Sequence, residues 1–368
     1  MSIRIYSQNV CVLPPGSRER YLQTGSLLGA VLTLTIFLLL FLIFPPIYLI
    51  SAGIFGIVTW LAAPLCFYTS LPLITLLTIF HSHDYKRERL SMLLRTKLLT
   101  PSGEPLYDVV CMQELFGCWY SDRNRTWFKA LMAEHGYKYS ALPGNKPWEI
   151  FPALWANSGL AIFSTHQLQD VQHTPFVNRI LYDYWTVQRG VLSCKIVQKV
   201  EGKSPITTCV GSTHFGPPIG VLEVFNGMPK FLINLLDKYS EQIGEACDVV
   251  KGWKKEGLEG VLAGDFNAPV NGREYRELKA RLGDAGMALI DKGFEAEGWP
   301  STVNPESDRM LTGGGRTGMV LDYAWISGGL EGEGAVGKVE VEGEEGWECI
   351  SDHYPVMGKF WRRKQEGR

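Results

Sequence analysis

The chain has 368 residues, with 36 basic and 38 acidic side chains and a formal net charge of -2. That length accommodates two average domains or one large α/β domain with an accessory segment, and the balanced charge argues against a polyanionic partner such as nucleic acid. The eight cysteines are scattered without a C-x-x-C pair, several inside apolar runs, which points to buried, reduced thiols in a cytosol-facing domain.

The first element is the stretch "IYSQNVCVLPPG" at residues 5–16. Ile3 and Ile5 alternate with Arg4 and Tyr6, and the run closes on a turn signal, so it is predicted to be a β-strand of a folded domain occupying residues 1–20. From Ser26 to Phe80 there is no Asp, Glu, Lys or Arg, enough for two apolar spans at about 26–50 and 52–80. Two long blocks do not fit a cleavable signal peptide. Arg4, Arg18 and Arg20 precede the segment and Lys86, Arg87, Arg89, Arg95 and Lys97 follow it, placing both ends in the cytosol. The expectation is an inserted transmembrane helical hairpin, multi-pass or re-entrant, since Pro45, Pro46, Pro64 and Pro72 also suit a kinked pair dipping into one leaflet.

The catalytic remainder is expected over residues 86–362. "KRERLSMLLRTKLL" puts Leu90, Leu93, Leu94 and Leu98 on one helical face. Its basic residues, 86–97, fit either anionic lipid headgroups or a solvated surface face. Strand-like runs follow at "YDVVCM", "SGLAIF", "RGVLSCKIV", "ITTCVGSTH", "GVLAG", "LDYAWIS" and "YPVMGKF". Helices are predicted near 122–135, 229–253 and 272–286, the last with Asn271 as N-cap and Glu274 three residues on. The Gly- and Glu-rich segment 328–348 reads as a hairpin excursion with a solvated face. This is the pattern of an α/β (α+β) sandwich of many short strands.

Polar clusters sit where apolar strands end or begin. They are Glu114 after "VVCMQ", His214 in "GSTHF", Asp265 and Asn267 in "AGDFNAP", Asp322 in "LDYAWIS", and Asp352 with His353 in "ISDHYPV". A carboxylate behind so apolar a run needs a cation, a metal or a donor, and several together suggest one shared ion. Singly, each also fits a structural acceptor, a cap, a core histidine or a turn residue. Together they combine carboxylates for a hard cation, two histidines for proton transfer and two asparagines for orienting oxygens.

Asn9 in "QNVCVLP", Glu114 in "CMQE", Asn157 in "NSGLAIFS", Arg189 in "RGVL", His214 in "STH", Asp265 in "GDFN", Asp322 in "LDY" and Asp352 in "SDHYPV" occur in the order of the endonuclease/exonuclease/phosphatase superfamily, which the chain resembles from Ile3 to Phe360. Within it the motifs look most like those of neutral sphingomyelinases, which also combine this fold with apolar membrane segments. The resemblance implies a four-layer sandwich and Mg²⁺-dependent phosphodiester hydrolysis, with Mn²⁺ as a substitute ion. In that reading Glu114, Asn9 and Asp352 serve the metal, and Asn157 and Arg189 the substrate. His353, oriented by Asp322, acts at the phosphorus, Asp265 handles a proton, and Asn267 with His214 holds phosphoryl oxygens. Two departures stand out: Arg189 replaces a usual Lys, and Tyr239 stands where an Arg is expected before Gln242.

Asn9 and Leu27 are 18 residues apart, so an extended link keeps the site within roughly 60 Å of the apolar segment. Such a tether favours a membrane phospholipid or sphingolipid substrate. Trp148, Phe151 and Trp155, with the apolar link after His214, are expected to ring the mouth. The sequence-level conclusion is a phospholipase-C-type enzyme cleaving sphingomyelin or a related phosphosphingolipid. The alternatives are another hydrolase of the superfamily, either a phosphoinositide phosphatase or a nuclease, and a non-catalytic membrane scaffold.

Overall fold

A computed structural model describes residues 2–12, 86–117, 122–144, 157–179, 187–199, 202, 204–218, 238–270, 272–290, 302, 320–336 and 353–363. By contact the chain divides into Met1–Val12 with Tyr85–Arg368, and Leu13–Asp84. The predicted hairpin at 26–80 lies outside the described residues. Among those described, no helix is long and apolar enough to cross a membrane.

The first strand, β1 (Ser2–Val12), pairs in parallel with β2 (Val109–Leu115) and antiparallel with the last strand (Val356–Arg362). The sequence ends of the catalytic unit therefore meet at the centre of one sheet. Further along the chain come β3 (Tyr139–Ala141), β4 (Ala161–Ser164), β5 (Gln167–Pro175), β6 (Gly190–Gln198), β7 (Ile206–His214) and β8 (Gly260–Asp265). They are followed by β9 (Met287–Leu289), β10 (Asp322–Ser327), β11 (Leu330–Val336) and β12 (Val356–Arg362). One mixed sheet runs β11-β12-β1-β2-β4-β3 and the other β5-β6-β7-β8-β10-β9.

Their side chains build three apolar layers. Between the sheets, Ile5, Cys111 and Ile162 of the first meet Cys194, Val210, Val261 and Ile326 of the second. The outer face of the first sheet, through Tyr6, Val110, Met112 and Phe163, is covered by helix α1 (Lys86–Leu93) with the π-helical turn Leu94–Leu98, and by α2 (Arg123–Glu134). The second sheet's outer face receives α3 (Tyr239–Lys255) through Ile243, Val250 and Trp253, and α4 (Arg273–Asp284) through Leu278 and Leu282. Helix, sheet, sheet and helix make the four-layer sandwich that the family resemblance implies.

This layering explains the apolar runs. β2 is a central strand covered on both faces, so Val109, Val110, Cys111 and Met112 are all buried instead of alternating with polar residues. For the same reason Tyr6, read in the sequence as facing away from the core, is fully buried on the α1 side. Leu90, Leu93, Leu94 and Leu98 pack into that layer, while Arg87 and Arg95 remain exposed.

All seven predicted strand runs after residue 86 are strands. The polar edge strand β5 was not legible, and the Gly/Glu-rich segment contributes a second edge strand, β11, with residues 337–348 outside the described set. The last helix starts later than predicted, at Arg273 with Gly272 as N-cap and no side-chain cap bond. The Gly272 N–H donates to the Pro269 carbonyl at 2.8 Å, immediately before the helix.

Cys111, Cys194, Cys209 and Cys247 are free and buried. Burial pushes the Cys194 and Cys209 thiols up to about 12 and Cys247 up to about 11, so they are packing groups and not nucleophiles.

On β5, burial pushes the His173 imidazole down to about 4, with Arg179 and Arg125 adding to it, and its Nε2 makes no hydrogen bond. The folded chain thus holds His173 neutral where the unfolded chain, titrating near 6.5, would protonate it. Stability is full above about pH 6.5 and falls as the pH drops toward 4, by up to roughly 3 kcal/mol from this group. Urea midpoints measured at pH 7 and pH 4.5 should fall further for the native chain than for His173→Gln. Equal falls would refute this role for His173.

Candidate active site

The predicted site residues gather along one edge of the two sheets. Glu114 is the penultimate residue of β2, while His214 and Asp265 end β7 and β8, which pair in parallel and in register with each other. Asp322 opens β10 directly opposite Asp265 in the antiparallel ladder, and His353 precedes β12. Strand ends of opposite direction thereby deliver their functional groups to the same place.

Asn9 lies beside Glu114 despite 105 intervening sequence positions: its Nδ2 donates to Glu114 Oε1 at 3.0 Å and to Asp265 Oδ2 at 3.1 Å. The His214 Nε2 approaches the same two oxygens, at 3.8 and 3.4 Å. Arg189 contacts His214 Nε2 through one guanidinium nitrogen, which also donates to the Phe215 carbonyl at 2.8 Å. Asn267 donates its backbone N–H to Asp265 Oδ1 at 2.8 Å and its Nδ2 to the Phe215 carbonyl at 2.8 Å. Alongside, His353 Nδ1 and Asp322 Oδ2 are 2.7 Å apart.

The local backbone explains how these groups come so close. Glu114 and Asn267 have φ of 58° and 50°, left-handed values that cost non-glycine residues of order 1–3 kcal/mol and cluster at functional sites. The strain at Glu114 is supported by the "NSGL" motif. Leu115 N–H donates to the Gly159 carbonyl at 2.8 Å, and a Cβ on Gly159 would lie 2.9 Å from the Glu114 Cα. Likewise a Cβ on Gly264 would meet the Thr213 carbonyl oxygen at 2.0 Å, so only glycine lets β8 approach β7 just before Asp265 and His214.

Burial sets the charge states. His214 is pushed well below the usual imidazole range by burial, then by Arg189 and His353, so it is neutral. Asp265 is pushed up to about 7, first by burial, with Asp322 raising it and His353, the Asn267 N–H and the Asn9 amide lowering it. A carboxyl with that affinity can move a proton near neutrality. Asp322 is held against His353 and keeps one buried oxygen, Oδ1, without a hydrogen bond.

This donor set fits a magnesium ion. Glu114 and Asp265 present hard oxygens to a common point, and what lies between them is the Asn9 amide nitrogen, the kind of positive donor such a carboxylate pair requires. Asp265, Asp322 and His353 also offer ligand atoms within 4.8 Å of one another. Asp322 and His353 make their short contact with each other, however, so the all-oxygen side at Glu114 suits Mg²⁺ better.

Two predicted residues stand apart. Asn157 spends its Oδ1 on the N–H groups of Gly117 and Gly159, at 3.1 and 3.0 Å, and so shapes the Glu114 turn; its Nδ2 is buried without a partner. Asp352 lies outside the described residues, as do Trp148, Phe151 and Trp155.

Three further residues were not foreseen. Thr302 accepts the Leu321 and Asp322 N–H groups on its hydroxyl at 2.8 and 3.2 Å and the Tyr354 N–H on its carbonyl at 2.6 Å, joining both halves of the Asp322–His353 pair. Gln8 donates to the His353 carbonyl at 2.8 Å. Gln113 bridges the sheets, donating to Ser7 Oγ at 3.2 Å and Ser212 Oγ at 2.9 Å beneath the site. Gln8 and Gln113 are polar residues within apolar strand runs, a readable signal; Thr302 has none.

The sequence profile of the endonuclease/exonuclease/phosphatase family matches residues 76–353, about three quarters of the chain. The chain belongs to that family. Members are hydrolases, and the solved structures it resembles agree in fold. SmcL matches with a TM-score of 0.58 at 15% identity, covering 97% of this chain and 98% of its own. A Staphylococcus aureus beta toxin variant with bound magnesium ions matches at 0.57 and 14%, covering 97% and 99%. Sphingomyelinase C from Streptomyces griseocarneus matches at 0.56 and 14%, covering 98% and 99%. At such identity the likeness concerns the fold alone. No curated protein sequence matches this one significantly.

Proposed function

We propose that this member of the endonuclease/exonuclease/phosphatase family is a membrane-bound, Mg²⁺-dependent phosphodiesterase of phospholipase C type. Its substrate would be sphingomyelin or a related phosphosphingolipid, cleaved to ceramide and a phosphorylated headgroup. The observation that carries the reading is the meeting of Asn9, Glu114, His214, Asp265 and Asn267 beside the Asp322–His353 pair. What supports a lipid substrate is the apolar stretch 26–80, which, inserted in a bilayer, would keep this site on a short tether to it. The catalytic unit faces the cytosol in this reading, and the basic residues of 86–97 meet anionic headgroups.

Glu114 would hold Mg²⁺, with Asp352 and with Asn9 only if its amide oxygen replaced the nitrogen that faces Glu114 and Asp265, and the ion would supply charge neutralisation at the phosphoryl group and a more acidic bound water. The protein's own groups do the rest. Arg189, neutral His214 and the Asn267 amide hold phosphoryl oxygens as negative charge develops. Asp265, protonated or ionised near neutrality, exchanges a proton with the attacking water or the leaving oxygen. Asp322 fixes His353 through Nδ1, so the other ring nitrogen faces the phosphorus.

The test is headgroup release from mixed micelles over a lipid panel, with and without Mg²⁺. Sphingomyelin should yield phosphocholine only with the ion. Glu114→Gln keeps the shape of the side chain but not its charge. It should lower the rate at saturating lipid at least ~100-fold and raise the Mg²⁺ concentration needed for half activity. Unchanged Mg²⁺ dependence would remove Glu114 from the metal site.

A further inference from the structure

Two buried phenols bracket the strained Asn267. Tyr239 OH, at the start of α3, donates to the Phe266 carbonyl at 2.5 Å. Tyr323 OH, one residue after Asp322 on β10, is shared between the Ala268 carbonyl at 2.5 Å and the Val320 carbonyl at 2.8 Å. The peptide group that enters Asn267, Phe266–Asn267, and the one beyond its C-terminal neighbour, Ala268–Pro269, are thus each held by one hydroxyl. Asn267 itself sits at φ 50°, a conformation that a non-glycine residue leaves unless its surroundings hold it. In that conformation its N–H reaches Asp265 and its Nδ2 reaches the Phe215 carbonyl.

We propose that Tyr239 and Tyr323 are positioning residues that clamp Asn267 in its left-handed conformation and so aim its amide at the reacting phosphoryl group. The two anchors come from separate layers. Tyr239 belongs to the helix layer and packs on Phe215, ring centroids 5.6 Å apart, directly after His214. Tyr323 belongs to the sheet and stacks edge-on against Phe266, directly after Asp265, at 5.9 Å. Both rings are 2% exposed, and burial raises both phenols further above neutrality, so they act as permanent donors. Tyr239 is also the position at which this chain departs from the expected Arg. The clamp gives that departure a use: a neutral donor reaches a buried carbonyl where a guanidinium would have to be desolvated.

The test uses the full chain in detergent micelles with Tyr239→Phe and Tyr323→Phe, which remove one hydroxyl each and keep the rings. Hydrogen exchange at the Asn267 amide should accelerate about tenfold in each variant, the loss expected for one buried hydrogen bond. Exchange at Val261–Gly264 should change less than twofold. Unchanged exchange at Asn267 would overturn the proposal, and so would uniform acceleration through β8 and α3, which signals general loosening. This arm needs no substrate.

A kinetic arm rests on the phosphodiesterase reading and uses the soluble diester bis(p-nitrophenyl) phosphate, so it stands apart from the choice of lipid. Tyr239→Phe should lower kcat about tenfold with KM within twofold. In an Asn267→Ala background it should have no further effect. Additive losses would show that Tyr239 acts other than through Asn267 and would contradict the clamp.

Discussion

Removing residues 1–12 is expected to abolish folding of the unit that carries the site. β1 lies between β12 and β2 in the first sheet, so its loss leaves a two-stranded piece and a three-stranded piece with two new edges. Ile3, Ile5, Tyr6 and Val10 are at most 5% exposed and would leave with it. At about 1.5–3 kcal/mol per buried side chain that is roughly 6–12 kcal/mol. It is comparable with the whole stability of an average domain, about 5–15 kcal/mol. The truncated chain should show no cooperative thermal transition and no activity. A sharp transition near the native midpoint would mean that the N-terminal stretch is only a leader.

His353→Ala is expected to lower kcat by about 10²–10⁴ with KM little changed, the range for loss of a positioned proton-transfer group. His353 is held through Nδ1 by a buried carboxylate, which fixes the ring and favours its protonated form in the transition state. Asp322→Asn should give a comparable loss of the same type, because an amide can turn its NH₂ to Nδ1 and select the other tautomer. Asp322 Oδ1 has no hydrogen bond, so His353→Ala leaves the buried carboxylate unpaired and should also lower the thermal midpoint, while Asp322→Asn should lower it less; kcat is therefore compared on the folded fraction. A kcat within threefold of native for His353→Ala would remove this histidine from the chemistry.

Legibility in the sequence followed burial. Strands covered on both faces, such as β2 and β8, announce themselves as unbroken apolar runs, and the polar residues that end them mark the site. Edge strands do not. The β5 sequence "QLQDVQHTP" and the β11 sequence "LEGEGAV" face solvent along much of their length and carry no apolar alternation, so their pairing is decided by neighbours instead of local pattern.

The same distinction holds within the site. Glu114, His214 and Asp265 were readable because charge after an apolar run needs a partner. Asn157 was readable as a motif, whereas the bonds of its Oδ1 to the Gly117 and Gly159 N–H groups beside Glu114 were not. Thr302 was invisible, being one hydroxyl in an irregular stretch whose value arises only when β10 and the His353 segment converge on it. The left-handed turns at Glu114 and Asn267 were equally hidden, because side-chain type does not reveal strain that tertiary contacts impose.

The most direct measurement of the central claim is mass spectrometry of the products formed from sphingomyelin by the full chain with Mg²⁺ in ¹⁸O-enriched water. Water attack at phosphorus with departure of the ceramide oxygen predicts phosphocholine carrying one ¹⁸O and unlabelled ceramide. Release of choline with ceramide 1-phosphate would contradict the phospholipase C assignment. Absence of any lipid product, alongside cleavage of an abasic DNA duplex by the same preparation, would contradict the lipid substrate itself.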